Sequence, residues 1–264
     1  MAILPGHLAF FLILAIVPII TVIGFICSMF SISLVDITNF IGEIIPNEVE
    51  EILIPFLSNV PNETNIFIFM AIGIFLAANG ASTIIVVSNS LYDIENNGYI
   101  RRRIKALFLT IILMTAFFII LILLAFGNII FKFILDLSIF SDVSSQLYYL
   151  FILFKWPIAF LVVLFLVKVM YTFAPDKMIP SKYVNSGALF TTICWSIVTA
   201  IYSYYASNIA NYNLFYGNLS NIIILMIWIY IISYIFVIGI AINVGKYKSY
   251  LEKMNNNEEI TNNN

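Results

Sequence analysis

The stretch Leu219–Val244, LSNIIILMIWIYIISYIFVIGIAINV, contains no Asp, Glu, Lys, Arg or His. As a helix rising 1.5 Å per residue it would extend about 39 Å, more than the hydrocarbon core of about 30 Å. Its apolar residues run continuously, whereas a membrane strand alternates apolar and polar over about ten residues. Inside lipid a segment has to satisfy its own backbone groups, which leaves helix as the reading.

Similar blocks recur on the N-terminal side. They cover about Leu8–Met29, Ile66–Leu91, Ile104–Phe126, Leu147–Met170 and Val184–Ala206. Of the 264 residues, 62% are hydrophobic and 10% charged, far from the 25% or so of charge typical of soluble domains. The expected fold is therefore an all-α bundle of six transmembrane helices, forming one domain over 1–250. The first block is read as a permanent span and not a cleaved signal, since no Lys or Arg precedes it and the cleavage pattern is weak. Cys27 and Cys194 lie within apolar blocks and read as buried free thiols.

The basic residues orient this bundle. Arg101, Arg102, Arg103 and Lys105 stand between the second and third blocks, Lys177 and Lys182 between the fourth and fifth, and Lys246, Lys248 and Lys253 after the sixth. The first connection carries Asp36, Glu43, Glu48, Glu50, Glu51 and Glu63 without a cation, the third has Lys132 as its one basic residue, and the fifth has no charge. Basic residues on alternate connections place both termini in the cytoplasm. A net charge of −2 gives nucleic acid no purchase.

Outside the spans, Val49, Ile52, Leu53, Phe56 and Leu57 follow helical spacing. A short amphipathic helix is expected over 47–57, with Asn47 and Glu50 at its start and Pro55 limiting it. It either packs as a loop helix or covers the outer mouth of the bundle. Residues 251–264 read as a polar, unfolded tail.

The distinctive positions lie mainly toward the C-terminus. They are Ala174-Pro175, Ser186-Gly187-Ala188, Trp195, Tyr205, Tyr212-Asn213, Tyr216-Gly217, Trp228, Tyr230, Gly239 and Asn243. Leu8-Ala9-Phe10-Phe11 with Pro18, Ser88-Asn89-Ser90-Leu91-Tyr92 and Lys155-Trp156-Pro157 extend the pattern towards the N-terminus. In order and spacing these residues resemble the YihY/BrkB family of membrane proteins, once labelled ribonuclease BN. The sequence departs from that family at Ala241, where a Glu is usual, and it lacks the basic stretch that usually precedes the first span. The resemblance implies a six-span protein of the bacterial plasma membrane. The family's links to envelope integrity and lipid handling imply transport. Structural roles are implied for Pro18, Pro157, Pro175, Gly187, Tyr212, Asn213, Tyr216, Gly217, Trp228, Gly239 and Asn243.

Three features are candidates for a substrate pathway. Lys155 lies about eight residues into a span, where burial of a charge is costly and marks function by default; the competing reading is that it snorkels to the interface. Asn79, Ser82 and Thr83 share one side of the second span with Ser90 and Asp93, beside the small residues Gly73, Ala77 and Gly80. Thr192 and Ser196 share a face of the fifth span with Thr199. Such faces either line a pathway or serve close helix packing and bonds to their own backbone.

His7 is the one histidine, and there is no phosphate-binding loop, nucleophile elbow or H-E-x-x-H motif. No metal or cofactor is expected. Metal-dependent nuclease chemistry wants clustered carboxylates, but the acids here are scattered, so a ribonuclease is rejected on the sequence. The leading expectation is a non-enzymatic transporter or flippase-like permease for an amphiphilic or lipid-linked substrate, with membrane lipids as its partners. The alternative is a scaffold that organises envelope-assembly proteins.

Overall fold

A computed structural model describes residues 4–14, 63–121, 144–208 and 219–262. These form six helices, with no strand among the described residues. They are α1 (Leu4–Leu14), α2 (Glu63–Tyr92), α3 (Tyr99–Leu121), α4 (Ser144–Phe173), α5 (Ser181–Asn208) and α6 (Leu219–Asn262). Segments within α4, α5 and α6 are long and apolar enough to cross a membrane: Trp156–Phe173, Ser181–Tyr205 and Ile223–Asn256. The amphipathic helix expected over 47–57, most of the first expected span and the Tyr212–Gly217 loop lie outside the described residues.

Local chemistry explains several helix ends. At the end of α2, Asp93 takes a left-handed φ of 55°. The Ile94 N–H then donates back to the Asn89 carbonyl at 2.9 Å, the six-to-one bond of a Schellman stop. Asp is among the few non-glycine residues that visit this conformation readily. Gly98 begins α3 by presenting its carbonyl to the Arg102 N–H at 3.1 Å. Helix α4 makes its last bond from the Ala174 N–H to the Met170 carbonyl at 2.8 Å. Pro175 follows and biases Ala174 away from the helical region.

Within α4 the helix continues through Pro157. That ring has no N–H for the carbonyl of Leu153, four residues earlier. Helix α6 does not stop at Val244 but runs on through the Asn-rich segment to Asn262. Once a helix is nucleated, each added residue costs little, so even a polar tail can extend it.

The helices pack in two groups joined edge to edge. Helix α2 packs on α3, while α5 packs between α4 and α6. Helices α6 and α3 reach across to α2 and α4 respectively. Leu8, Ile85, Val87, Val167, Tyr171, Val184, Phe236 and Ile240 form one continuous buried core. The outward faces remain apolar: Phe108, Phe165, Ile201 and Ile227 are all exposed. A polypeptide in water buries such side chains; in a bilayer they are the surface that meets lipid.

Candidate functional site

Three polar joints are built into this apolar frame. The first closes the end of the bundle where the 93–98 turn meets the 174–180 loop. Asp176 is its centre, with a side chain 4% exposed, and Lys105 faces it across 2.8 Å. The other Asp176 oxygen accepts from the Asn89 amide at 2.8 Å and from the Asn97 N–H at 3.1 Å. Asn89 returns a bond by accepting the Asp176 N–H at 2.8 Å, and its amide also donates to Asn96 at 3.0 Å. Lys105 donates in addition to the carbonyls of Ala174 and Pro175, at 2.9 and 2.7 Å. These are the carbonyls that the broken α4 terminus leaves over. Burial by itself would raise the Asp176 pKa. The Lys105 hydrogen bond and charge, with the Asn97 and Asn89 donors, outweigh it and hold the carboxyl down at about 2. Nearby, Lys248 of α6 pairs with Asp93, and the Tyr92 and Tyr247 rings meet edge-on at 6.1 Å.

The second joint is the crossing of α4, α5 and α6. The Tyr171 hydroxyl donates to the Phe236 carbonyl at 2.8 Å. It therefore accepts from the Thr191 hydroxyl, 2.7 Å away. The Gly187 N–H donates to Asn243 Oδ1 at 2.7 Å, and the Trp195 indole to the Ile232 carbonyl at 3.0 Å. Two glycines allow this approach. A Cβ on Gly187 would collide with the Gly239 carbonyl and with Asn243, and a Cβ on Gly239 would collide with Thr191 and Tyr171.

The third joint lies halfway along α2. The Arg103 guanidinium donates through one terminal nitrogen to Asn79 Oδ1 at 2.6 Å. The other terminal nitrogen donates to the Phe75 carbonyl at 2.9 Å. The group also sits 3.8 Å from the centre of the Phe75 ring.

The residues singled out from the sequence divide among these places. Asn79 belongs to the third joint, and Ser82 beside it is half-buried. Thr83 is buried and donates to the Asn79 carbonyl at 2.9 Å. Thr192 is likewise buried and donates to the Ala188 carbonyl at 2.9 Å. Ser196 is exposed and donates to the Thr192 carbonyl at 2.9 Å. Lys155 lies on α4 with its side chain outside the described residues, and its neighbour Pro157 is exposed. Of the motif residues, Gly187, Gly239 and Asn243 meet at the second joint, and the Pro175 carbonyl feeds the first. Trp228 stacks on Tyr202 with ring centres 5.2 Å apart. Pro18, Tyr212, Asn213, Tyr216 and Gly217 lie outside the described residues.

Asp176 is what the sequence does not single out. In a linear reading Arg103 and Lys105 either set topology or contact anionic lipid from the cytoplasmic side, and Asp176 is a loop acid. The one available signal is Ala-Pro-Asp at the end of a span, where unpaired helix carbonyls and a carboxylate attract a cation together.

Long apolar helices with apolar outward faces define a helical membrane protein. The chain belongs to the family described as Virulence factor BrkB, which it matches over residues 4–260. It is 30% identical over 248 residues to a putative ribonuclease-like protein, YfkH, of Bacillus subtilis, covering 92% of this chain and 89% of that relative. It is also 27% identical over 122 residues to the UPF0761 membrane protein IL2447 of Idiomarina loihiensis, covering 46% of this chain and 42% of that one. No solved structure matches.

Proposed function

We propose that the protein is a multi-pass permease, of flippase type, for an amphiphilic or lipid-linked substrate, with six spans and both termini in the cytoplasm of a bacterial cell. The observation that carries this reading is the third joint. It brings the Arg103 guanidinium of α3 against the Asn79 amide at the midpoint of α2, a 30-residue helix whose own ionisable residues are Glu63 and the terminal Tyr92. Polar side chains at that depth are costly to keep and mark pathways more often than packing. Phe75, which carries the guanidinium, is 54% exposed, so the joint opens sideways, towards where lipid would stand. Both helices of the joint belong to the α2–α3 pair, so a substrate would enter it from the side, and alternating access would carry that pair, with its cargo, against α4, α5 and α6. Lys155 remains a second candidate for the pathway.

The scaffold reading draws on a different observation. The hydroxyls of Thr83, Thr192 and Ser196 all bond to carbonyls of their own helices, so they need no pathway to be satisfied. Reconstitution separates the two readings. Purified protein in vesicles should move fluorescent phospholipid between leaflets, and Lys155→Met should slow it at least several-fold if Lys155 lies on the path. Protein-containing vesicles no faster than empty ones would leave the scaffold. A nuclease has no place in this reading; RNA hydrolysis by purified protein with Mg²⁺, lost when Glu95 or Asp176 is neutralised, would count against it.

A further inference from the structure

We propose that Arg103 binds the phosphate group of an anionic amphiphile entering the groove between α2 and α3 from the side. This names the substrate class of the permease reading and rests on that reading for movement, though not for binding.

The direction of the side chain comes first. Arg103 is four residues into α3, counting from the polar 93–98 turn, while its partner Asn79 is thirteen residues back from the end of α2. The guanidinium therefore points away from the polar turn and into the span. A snorkelling arginine does the opposite. Arg101 is exposed and Lys105 is engaged by Asp176. Of this basic run, Arg103 is the member that turns to α2.

The charge comes second. The partners of Arg103 are an amide oxygen, a backbone carbonyl and an aromatic face, all neutral. Neither ion pair among the described residues involves it. A bundle that needed only a tie between α2 and α3 would manage with a neutral donor. A full positive charge with no carboxylate partner among the described residues, level with the middle of α2, is stabilised when an anion joins it.

The unused donors come third. A guanidinium carries five N–H groups, and two are accounted for here. Nε is buried and has no partner among the described residues. Arginine forks match phosphate oxygens two at a time. The flank suits the rest of such a molecule: Phe75, on whose ring the guanidinium rests, is an exposed apolar side chain, and an acyl chain would lie against it.

Native mass spectrometry of the purified full chain in detergent tests this, with phosphatidylglycerol, diacylglycerol of the same chains, and glycerol 3-phosphate as probes. Phosphatidylglycerol should be retained at least tenfold more tightly than diacylglycerol. Asn79→Asp sets a carboxylate against Arg103, so it should keep the joint and the melting temperature while lowering phosphatidylglycerol affinity at least tenfold. Arg101→Gln should change neither. Arg103→Gln is the second variant, should Asn79→Asp not purify. Equal retention of phosphatidylglycerol and diacylglycerol, or unchanged retention in Asn79→Asp, overturns the proposal. Glycerol 3-phosphate binding as tightly as the lipid overturns the amphiphile and leaves a soluble phosphate. If binding behaves as expected but vesicles show no lipid movement, the permease reading falls and the site stands.

Discussion

At the scale of single residues, Asp176 is bound more firmly than any other acid described. Its carboxyl ionises at about 2, against 3.8 for a free side chain. A depressed carboxyl pKa adds stability that is present above the unfolded value and is lost as pH falls through the folded one. The wild-type melting temperature in detergent should therefore drop between about pH 4 and pH 2, and in Asp176→Asn this contribution to the acid loss should vanish. Asp176→Ala at neutral pH takes the counter-charge from Lys105, which keeps only the two carbonyls, and an acceptor from both the Asn89 amide and the Asn97 N–H, which should cost about 3 kcal/mol. Gly239→Ala should be comparably damaging, because Thr191 and Tyr171 both occupy the place its methyl would take and neither is the free end of a flexible chain. If its melting curve coincides with the wild type, the α5–α6 crossing is looser than described. Ala-Pro-Asp at a span end signals that a cation is drawn there, but which residues Asp176 holds is not legible in the sequence. The Asp176–Lys105 pair spans 71 residues, and an acid near a span end looks the same whether it holds the bundle or faces water.

At the scale of elements, hydropathy locates long helices well and their ends poorly. The expected stretches 66–91, 147–170 and 184–206 each lie inside a helix that overruns them by two or three residues or so. The sixth overruns by eighteen, because hydropathy registers where lipid ends and helical hydrogen bonding continues past that point. The end of α2 shows what sets a boundary instead. Asp93 holds a left-handed φ that suits glycine better, at a gain of about 1 kcal/mol for Asp93→Gly. That gain is offset by loss of the exposed Lys248 pair, worth about 0–1 kcal/mol. Asp93→Gly should consequently melt within a degree or two of wild type or slightly above it. Asp93→Val loses the pair and adds a β-branched clash at the same φ, so it should melt several degrees lower. Equal melting temperatures for the two variants would show that the Schellman stop contributes nothing.

At the scale of the whole molecule, the membrane class and the family resemblance are legible in composition, block length and motif order, since lipid imposes its demands on every residue of a span. The joints are not legible, because each depends on which helices become neighbours. Those joints divide the labour unevenly. The α4–α5–α6 crossing is buried and mostly neutral. The tie between the α2–α3 pair and the rest shares the apolar core, but its polar links are ions at one end, Lys105 with Asp176 and Lys248 with Asp93, plus the meeting of Tyr92 and Tyr247. A molecule built this way should open first at that end. Salt alone should do little, since 1 M salt screens the exposed Lys248 pair but hardly reaches Lys105, whose side chain is 26% exposed, or Asp176 at 4%. Lys105→Met leaves the Asp176 carboxylate buried without its cation. Hydrogen exchange at the Asn97 and Asp176 amides should then quicken at least tenfold, equivalent to about 1.4 kcal/mol of local opening. The Gly187 amide, bonded to Asn243 in the crossing, should keep its wild-type rate. A uniform rise across all three amides would mean that the helices come apart as one cooperative body, and the two-group description would then be wrong.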